Sequence, residues 1–289
     1  MILIADSGST KTDWCLSENG KVAATVSTQG INPFHQSEQQ ISAIVRGELL
    51  PALAGRSVGA IFFYGSGCRE ECIPAMQWVL GSAFPGCRRI EVGGDLLGAA
   101  RALCGAGEGI ACILGTGANS CLYDGSRIVM NTPPLGYILG DEGSGAVLGR
   151  IFINALFKGL PGDGGSAGRS DTGTLREAFY SHTGMTMADV IDRVYRAPLA
   201  NRFLASLAPF IHSHLSVPAV RTLVIDNFRA FFRRNVSQYG RTDLPVNAVG
   251  SIAHYFSAEL SEAARAEGFS IGRIERSPMA GLVAYHDLQ

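Results

Sequence analysis

Three aspartates stand where an apolar run gives way to polar or glycine-rich residues. Asp6 follows "ILIA", Asp95 follows "RIEVGG" and Asp141 follows "GYILG". If these runs are strands, the three carboxylates lie at strand carboxyl ends, where open α/β folds place their ligands. A single aspartate in such a place is more often a turn former or a helix cap. Three of them, beside two phosphate-type loops, favour metal binding and base catalysis.

Two glycine loops have the composition that binds phosphate. Gly8-Ser9-Thr10-Lys11 follows the first apolar run, and Gly115-Thr116-Gly117 follows a later one. Glycine lets backbone N–H groups converge on an anion, and Ser or Thr adds hydroxyl donors. Neither loop has the GxxxxGK[ST] spacing, and no GxGxxG follows the first strand. The two glycine loops together predict a site that binds a polyphosphate from both sides, with Asp6 directed to Mg²⁺ through water.

Two other glycine turns precede predicted helices. Gly140-Asp141-Glu142-Gly143-Ser144-Gly145 leads into a helix whose first amides are a candidate anion site. Val249-Gly250-Ser251 repeats the strand-to-glycine arrangement before another helix. Both turns therefore belong with the candidate nucleotide site.

The apolar patterns predict the elements that position these loops. Strands are predicted over residues 2–5, 14–16 and 22–27 and in "AIFFYGSG", "RIEVGGD" and "LPVNAVGS". Helices are predicted over 38–53 and 144–158, in "PAMQWVLGSAF", "LLGAARALCG" and "IAHYFSAELSEAARAEG", and through most of 174–237, with breaks near Pro198, Pro209 and Pro218. Alternating strands and helices indicate an α/β fold. The strand, glycine turn, strand, hairpin and strand of the first 26 residues recur in "GIACILGTGANSCLYDGSRIV", which indicates an internal duplication.

Composition narrows the class of protein. The chain has 289 residues and a formal net charge of −1, which gives no electrostatic case for a nucleic-acid partner. Its seven cysteines form no CxxC pair, so they are interpreted as reduced thiols. No apolar run approaches the ~20 residues of a membrane span, and no signal peptide precedes the first strand. We expect a cytoplasmic protein with no membrane partner, and a surface loop in the glycine-rich residues 159–173.

The motifs together resemble those of a known superfamily. "ADSGSTKTDW", "LGTGANS", "GYILGDEGSGAVLG" and "VGSIA" resemble, in order and spacing, the phosphate-1, phosphate-2, connecting and adenosine segments of actin-like ATPases. That superfamily includes sugar kinases, Hsp70 and actin. With "TQGINPF" and "GDLLGAARALCG", the chain is similar to N-acetylglucosamine kinases and their neighbours in the BadF/BadG/BcrA/BcrD ATPase family. The resemblance covers nearly the whole chain except the glycine-rich loop.

This resemblance implies a fold and a reaction. It implies two ribonuclease-H-like α/β domains, residues 1–108 and 109–289, with the nucleotide and substrate in an interdomain cleft; the last helix is a candidate to return to the first domain. It implies ATP and Mg²⁺ as cofactors, a small-molecule amino sugar as partner, and a homodimer. The implied reaction is phosphorylation of N-acetyl-D-glucosamine at its 6-hydroxyl.

The resemblance also implies roles for individual residues. Asp95 matches the general base, and Asp6 is the metal-site candidate. The nucleotide-binding candidates are Gly8, Ser9, Thr10, Lys11, Gly115, Thr116, Gly117, Gly250 and Ser251. The sugar-binding candidates are Asn32, Ala118, Asn119, Leu135, Gly136 and Asp141, with Pro134 beside them. Ala118 replaces a serine of the family pattern, which leaves only backbone contact there.

Three alternatives stay open at this point. N-acetylmuramic acid is a second substrate candidate, because related kinases serve cell-wall recycling. An ATPase activator of an iron–sulfur reductase is a candidate of another class, which would need interface cysteines to hold a cluster. A non-catalytic actin-like scaffold or sugar sensor is the third, although Asp95 is present.

Overall fold

Two five-stranded sheets form the framework of the computed structural model, which describes residues 1–8, 10–161 and 171–287. The chain divides into two units. Unit 1 comprises Met1–Ala111, Leu122–Val129 and Ser277–Gln289; unit 2 comprises Cys112–Cys121 and Met130–Arg276. The predicted α/β class is confirmed.

The first sheet has the strand order β3-β2-β1-β4-β5. Its strands are β1 (Ile2–Ser7), β2 (Lys11–Glu18), β3 (Lys21–Gln29), β4 (Ala60–Gly65) and β5 (Arg89–Gly94). β1 pairs antiparallel with β2 and parallel with β4, and β4 pairs parallel with β5. The carboxyl ends of β1, β4 and β5 therefore share one edge of the sheet, where Asp6 and Asp95 lie.

Helices cover both faces of this sheet. They are α1 (Glu38–Ile44), continued by a π-helical turn (Val45–Leu49) into α2 (Leu50–Leu53), then α3 (Ile73–Ala83), preceded by a 3₁₀ turn (Glu70–Cys72), α4 (Asp95–Cys104) and, from the chain end, α14 (Met279–Asp287). Ser37 and Gln40 form a capping box that starts α1. On one face Trp14, Phe63 and Met76 belong to a buried core, and on the other Ile4, Phe62 and Leu282 form a second core. These two cores fix the sheet edge that carries the carboxylates.

A buried polar network joins α14 to α4. The His286 ring stacks on Phe62 at a centroid distance of 3.7 Å, and Tyr64 Oη lies 2.8 Å from His286 Nε2. Arg101 on α4 donates to Tyr64 Oη at 2.6 Å and pairs with Glu91. Burial lowers the pKa of His286 to about 4, against the opposing effect of Glu91. The imidazole is therefore neutral at pH 7.

We expect His286→Gln to make the free energy of unfolding depend less on pH below about pH 6.5 than it does in the wild type. The folded pKa of His286 lies below its ordinary 6.5, so the unfolded chain binds more protons between pH 6.5 and about 4. The wild type should therefore lose free energy of unfolding as pH falls through this window, by on the order of 3 kcal/mol from this group. Urea unfolding at pH 7.0, 5.5 and 4.5 measures the difference between the two slopes. Parallel slopes in wild type and variant would contradict the assignment.

The second sheet has the order β10-β9-β6-β7-β8. Its strands are β6 (Gly109–Leu114), β7 (Ala118–Tyr123), β8 (Ile128–Asn131), β9 (Val246–Val249) and β10 (Ile271–Glu275). Read from β8, this is the order of the first sheet read from β3, which agrees with the predicted duplication. The helices of unit 2 are α5 (Gly136–Leu139), α6 (Gly145–Lys158), α7 (Asp171–Thr183), α8 (Met187–Tyr195), α9 (Ala200–Ala205), α10 (Ala208–Ser213), α11 (Pro218–Arg234), α12 (Ser251–Tyr255) and α13 (Ser257–Ala266), with a 3₁₀ turn at Val236–Tyr239.

Two sequence predictions about local structure differ from the result, and a third is confirmed. The helix predicted across 252–267 is two helices, because the chain breaks at Phe256 (φ −105°, ψ 32°), whose ring is buried. The predicted break near Pro209 is confirmed, because α9 ends at Ala205 and α10 begins at Ala208. Pro209 lies in the first turn of α10, where its missing N–H costs no hydrogen bond. Residues 162–170 of the predicted glycine-rich loop lie outside the described residues, and Asp171–Gly173 belong to α7.

Within the described residues, none of the helices combines the length and hydrophobicity needed to cross a bilayer.

Candidate active site

Asp6 is the last carboxylate of β1 and lies across the β1–β2 ladder from Asp13. The pKa of Asp6 is raised to about 7, mainly by burial and also by the carboxylates of Asp95 and Asp13, while Lys11 opposes the shift. The Lys11 ammonium is itself paired with Asp13, at 2.6 Å between Nζ and Oδ2. Asp6 and Asp95 thus lie close enough to interact. The nearby cation, Lys11, is paired with Asp13, so the negative charge of Asp6 and Asp95 is only partly neutralised. A bound cation would relieve this, so the pair fits a metal-linked role.

The turn between β1 and β2 has the tight geometry of a phosphate loop. Gly8 N donates to Lys11 O at 3.0 Å, and Thr10 and Lys11 are exposed. Ser9 lies outside the described residues. Beneath the turn, the Ser7 and Thr12 hydroxyls pair at 2.6 Å, and both accept from Ile31 N at 3.1 Å. This buried hydroxyl pair fixes the chain at Ile31 and so positions the next residue, Asn32.

Asp95 is the first residue of α4, directly after β5. Its Oδ1 accepts from Leu96 N at 2.9 Å, and burial raises the pKa of the carboxyl above its usual range, while backbone hydrogen bonds oppose the shift. Within the described part of the chain, no cation forms an ion pair with Asp95. A partly exposed carboxylate with a raised pKa and no cationic partner fits a proton acceptor.

In unit 2, Gly115–Gly117 forms a tight turn between β6 and β7. Gly115 N donates to Gly117 O at 2.9 Å. The first amides of α6 also bind this turn: Gly145 N donates to Gly115 O at 2.9 Å, and Ala146 N donates to Thr116 O at 3.1 Å. The expectation that these amides bind an anion is therefore wrong, because the loop carbonyls already occupy them.

Asp141 lies against the same turn. A Cβ on Gly117 would lie 3.1 Å from Asp141 Oδ2, so a side chain there would crowd the carboxylate in its present position. Burial raises the pKa of Asp141 to about 6, with hydrogen bonds from the Ala118 and Gly136 backbones opposing the shift. The prediction that Asp141 follows a strand is wrong. The strand β8 ends at Asn131, ahead of Pro133 and Pro134, and the short helix α5 precedes Asp141.

The other sugar-binding candidates differ in whether their polar groups are already hydrogen-bonded within the protein. Asn119 Oδ1 accepts from Ser120 N at 2.9 Å and from Asn131 Nδ2 at 2.8 Å, so its carbonyl is already used. Leu135 has φ +62°, and its side chain is 62% exposed. The structure therefore groups Gly136, Ala118 and Asp141 through hydrogen bonds, whereas Leu135 presents an apolar side chain to solvent.

Gly250 and Ser251 lie at the β9–α12 turn, which approaches the end of β6. Gly250 has φ +124°, and a Cβ there would overlap Leu114 O and lie 3.3 Å from Gly115 N. A cavity of about 570 Å³ adjoins this contact. Gly115, Thr116, Arg202, His212, Ser251 and Tyr255 are among its lining residues. The structure thus brings the predicted Thr116 and Ser251 together around one nucleotide-sized space.

Sequence reasoning missed Arg202, His212 and Tyr255. Arg202 and His212 lie on α9 and α10, in segments without a motif, and Tyr255 lies on α12 just beyond the "VGSIA" stretch. Only the shared cavity relates the three. It also missed the turn after β4, Gly65–Arg69, in unit 1. Ser66 N on that turn donates to Ser7 O at 2.9 Å, beside the phosphate-type loop. The signal available was the glycine pair ending "AIFFYGSG", which repeats the strand-to-glycine pattern of the other loops.

Among the residues that the structure describes, no group of three or more His, Cys, Asp or Glu side chains forms a metal cage.

Comparison with known proteins gives matches among solved structures alone. No protein-family model matches the chain, and no curated protein matches it. A candidate N-acetylglucosamine kinase from Porphyromonas gingivalis is 51% identical, with a TM-score of 0.94, covering 100% of this chain and 99% of that one. A second candidate N-acetylglucosamine kinase, from Chromobacterium violaceum, is 20% identical with a TM-score of 0.75, covering 99% of each chain. A ROK hexokinase from Thermus thermophilus is 18% identical with a TM-score of 0.52, covering 98% and 96%. The last two likenesses show the fold alone.

Proposed function

The chain belongs to the family of the N-acetylglucosamine kinases, and we propose that it transfers the γ-phosphoryl group of ATP to the 6-hydroxyl of N-acetyl-D-glucosamine. The observation that carries this proposal is the 51% identity with a candidate kinase of that substrate over the full length of both chains. The chemistry of the two carboxylates in unit 1 supports it.

Asp95 is proposed as the general base. Phosphoryl transfer to an alcohol requires positioning, charge neutralisation and a carboxylate that accepts the hydroxyl proton. The proton of the 6-hydroxyl passes to the Asp95 carboxylate as the sugar oxygen bonds to the γ-phosphorus and the bond to the β-phosphate oxygen breaks. Burial raises the pKa of Asp95, which brings the base nearer to the operating pH and favours proton acceptance.

Asp6 is proposed to hold Mg²⁺, through water. When bound, Mg²⁺ neutralises charge on the β- and γ-phosphates. Because the pKa of Asp6 is raised by burial and by Asp95, a cation there would favour the charged form of both carboxylates.

The glycine loops are proposed to bind the nucleotide. Gly8, Ser9, Thr10 and Lys11 in unit 1, and Gly115, Thr116 and Gly117 in unit 2, form two turns that would offer hydroxyls and one ammonium to the phosphates. Gly8 N and Gly115 N donate to Lys11 O and Gly117 O, so these two amides shape the turns themselves. Ser251, which follows Gly250 in the chain, borders the cavity that would take the nucleoside, where Tyr255 would supply an aromatic face and Arg202 a charge. A ROK glucokinase with this general fold, from Streptomyces griseus, has been solved with glucose and AMPPNP, at 15% identity and a TM-score of 0.53.

The sugar is proposed to contact Asn32 by its amide and Asp141 by its carboxylate. Ala118 and Gly136 would contribute backbone groups, and Asn119 and Leu135 would complete the contacts.

The chain is also proposed to form a homodimer, which family membership favours. Light scattering of the purified protein measures the molar mass and so tests this oligomeric state.

A sugar panel tests the proposed function. ADP release is followed with Mg²⁺ and ATP against N-acetylglucosamine, N-acetylmannosamine, N-acetylmuramic acid, glucosamine and glucose, with and without EDTA. We expect N-acetylglucosamine to have the highest kcat/KM and EDTA to abolish turnover. Preference for N-acetylmuramic acid would reassign the substrate within the same chemistry. ATP hydrolysis that no sugar stimulates would refute a kinase.

A further inference from the structure

The turn Gly65–Arg69 touches the segments on which the proposed site in unit 1 depends. Ser66 N donates to Ser7 O at 2.9 Å, at the base of the phosphate-type loop. The Arg69 guanidinium lies 4.1 Å from the Phe34 ring centroid, beyond Asn32. A Cβ on Gly94, which precedes Asp95, would lie 3.9 Å from Cys68 O. The turn therefore lies against both Asn32's loop and the strand end that delivers Asp95.

Gly67 lies directly against the amide of Asn32. A Cβ at position 67 would overlap Asn32 Oδ1 and would lie 2.7 Å from Asn32 Cγ and 3.0 Å from Nδ2. Gly67 also has φ +77°, which favours glycine. The space taken by the Asn32 amide exists because residue 67 has no side chain.

The Asn32 amide has little freedom to move aside. Its Oδ1 accepts from Phe34 N at 3.0 Å, and the Asn32 backbone N donates to Gln36 Oε1 at 2.7 Å. Gln36 Nε2 in turn donates to Gly30 O at 3.1 Å. A methyl group at position 67 would therefore have to break the bond to Phe34 N or displace the turn itself.

We infer that Gly67 is a positioning residue for the acceptor sugar: its bare Cα sets the place of the Asn32 amide, and the turn that carries it holds Asn32 at a fixed separation from Asp95. This inference rests on the proposed function, in which Asn32 binds the sugar. Gly67 itself contacts neither sugar nor nucleotide and acts through Asn32. It determines affinity for the sugar without affecting affinity for ATP.

The test compares Gly67→Ala with Gly55→Ala. Gly55 also lies in unit 1 with φ +73°, but no atom lies within 4 Å of its Cβ position. Alanine at position 55 therefore has the same unfavourable backbone conformation as alanine at position 67 but displaces no neighbouring atom. We expect Gly67→Ala to raise KM for N-acetylglucosamine about tenfold or more, with KM for ATP unchanged within about twofold. Calorimetric titration of N-acetylglucosamine without nucleotide should show the same loss of affinity. Gly55→Ala should match the wild type in both measurements, and its fall in Tm should report the backbone cost alone.

A double-mutant comparison isolates the route through Asn32. In the Asn32→Ala background, where the amide is gone, Gly67→Ala should add less than about a twofold further loss of sugar affinity. Additive losses, or equal KM values for Gly67→Ala and Gly55→Ala, would overturn the inference and leave the kinase proposal intact. A wild type that binds no amino sugar in the calorimeter would refute the proposed function and this inference with it.

Discussion

Asp95→Asn is expected to lower kcat with N-acetylglucosamine by about 10²- to 10⁴-fold, the usual contribution of a positioned general base. Asparagine keeps the shape of aspartate, and its Oδ1 can still accept from Leu96 N, but it cannot take up the proton of the hydroxyl. Burial penalises the charged Asp95 carboxylate, so a neutral amide should leave Tm unchanged or raise it. KM for the sugar should change less than kcat, because the side chain still fills its place.

The control for charge loss is Asp226→Asn on α11, where the side chain is 60% exposed. This variant should retain wild-type kcat and KM. Slow ATP hydrolysis without sugar should persist in Asp95→Asn, since water attack does not depend on the sugar hydroxyl. Sugar-dependent turnover at the wild-type rate in Asp95→Asn would contradict the assignment of the base.

Gly250→Ala is expected to raise KM for ATP about tenfold or more and to destabilise the protein by about 2 to 4 kcal/mol. Two costs combine at this position. The backbone has φ +124°, which alanine rarely adopts, and a Cβ would overlap Leu114 O and lie 2.8 Å from Leu114 C. Leu114 is fully buried at the end of β6, so it can yield only by moving the adjoining Gly115–Gly117 turn. The turn that we propose to bind phosphate would then leave its position.

Gly240→Ala is the matched control in unit 2. Gly240 has φ +63° and no atom within 4 Å of its Cβ position, so alanine there tests the backbone cost alone. We expect its KM for ATP to equal that of the wild type. Calorimetric titration with AMPPNP separates affinity from turnover. Equal nucleotide affinity in Gly250→Ala and Gly240→Ala would show that the β9–α12 turn does not hold the phosphate loop.

The parts of the site that sequence predicted are those encoded over short stretches. At Asp6 and Asp95, an apolar run followed by a carboxylate predicts a strand, the place where the strand ends and the polar group at that end, all within a short stretch of sequence. Glycine loops such as Gly115–Gly117 are equally local. The recurrence of the first hairpin after about one hundred residues is visible as pattern, and the matching strand orders of the two sheets agree with it.

The parts that sequence did not predict depend on contacts between distant residues. Gly67 and Asn32 are 35 positions apart, and only the packing of two turns shows that one leaves space for the other. Arg202, His212 and Tyr255 come from three helices, and they become a group only around a shared cavity. The short helix α5 was missed because Pro133 and Pro134 before Gly136 are typical of a turn, and four residues carry too little periodicity.

We propose that the chain phosphorylates the 6-hydroxyl of N-acetylglucosamine with Asp95 as base. The most direct test is a ³¹P–¹H correlation spectrum of the product formed from N-acetylglucosamine, Mg²⁺ and ATP by the wild type and by Asp95→Asn. We expect one phosphomonoester signal coupled to the two protons on C6 with the wild type, and none with Asp95→Asn over the same time. A phosphate coupled to another sugar proton, or inorganic phosphate as the only product beside ADP, would contradict it.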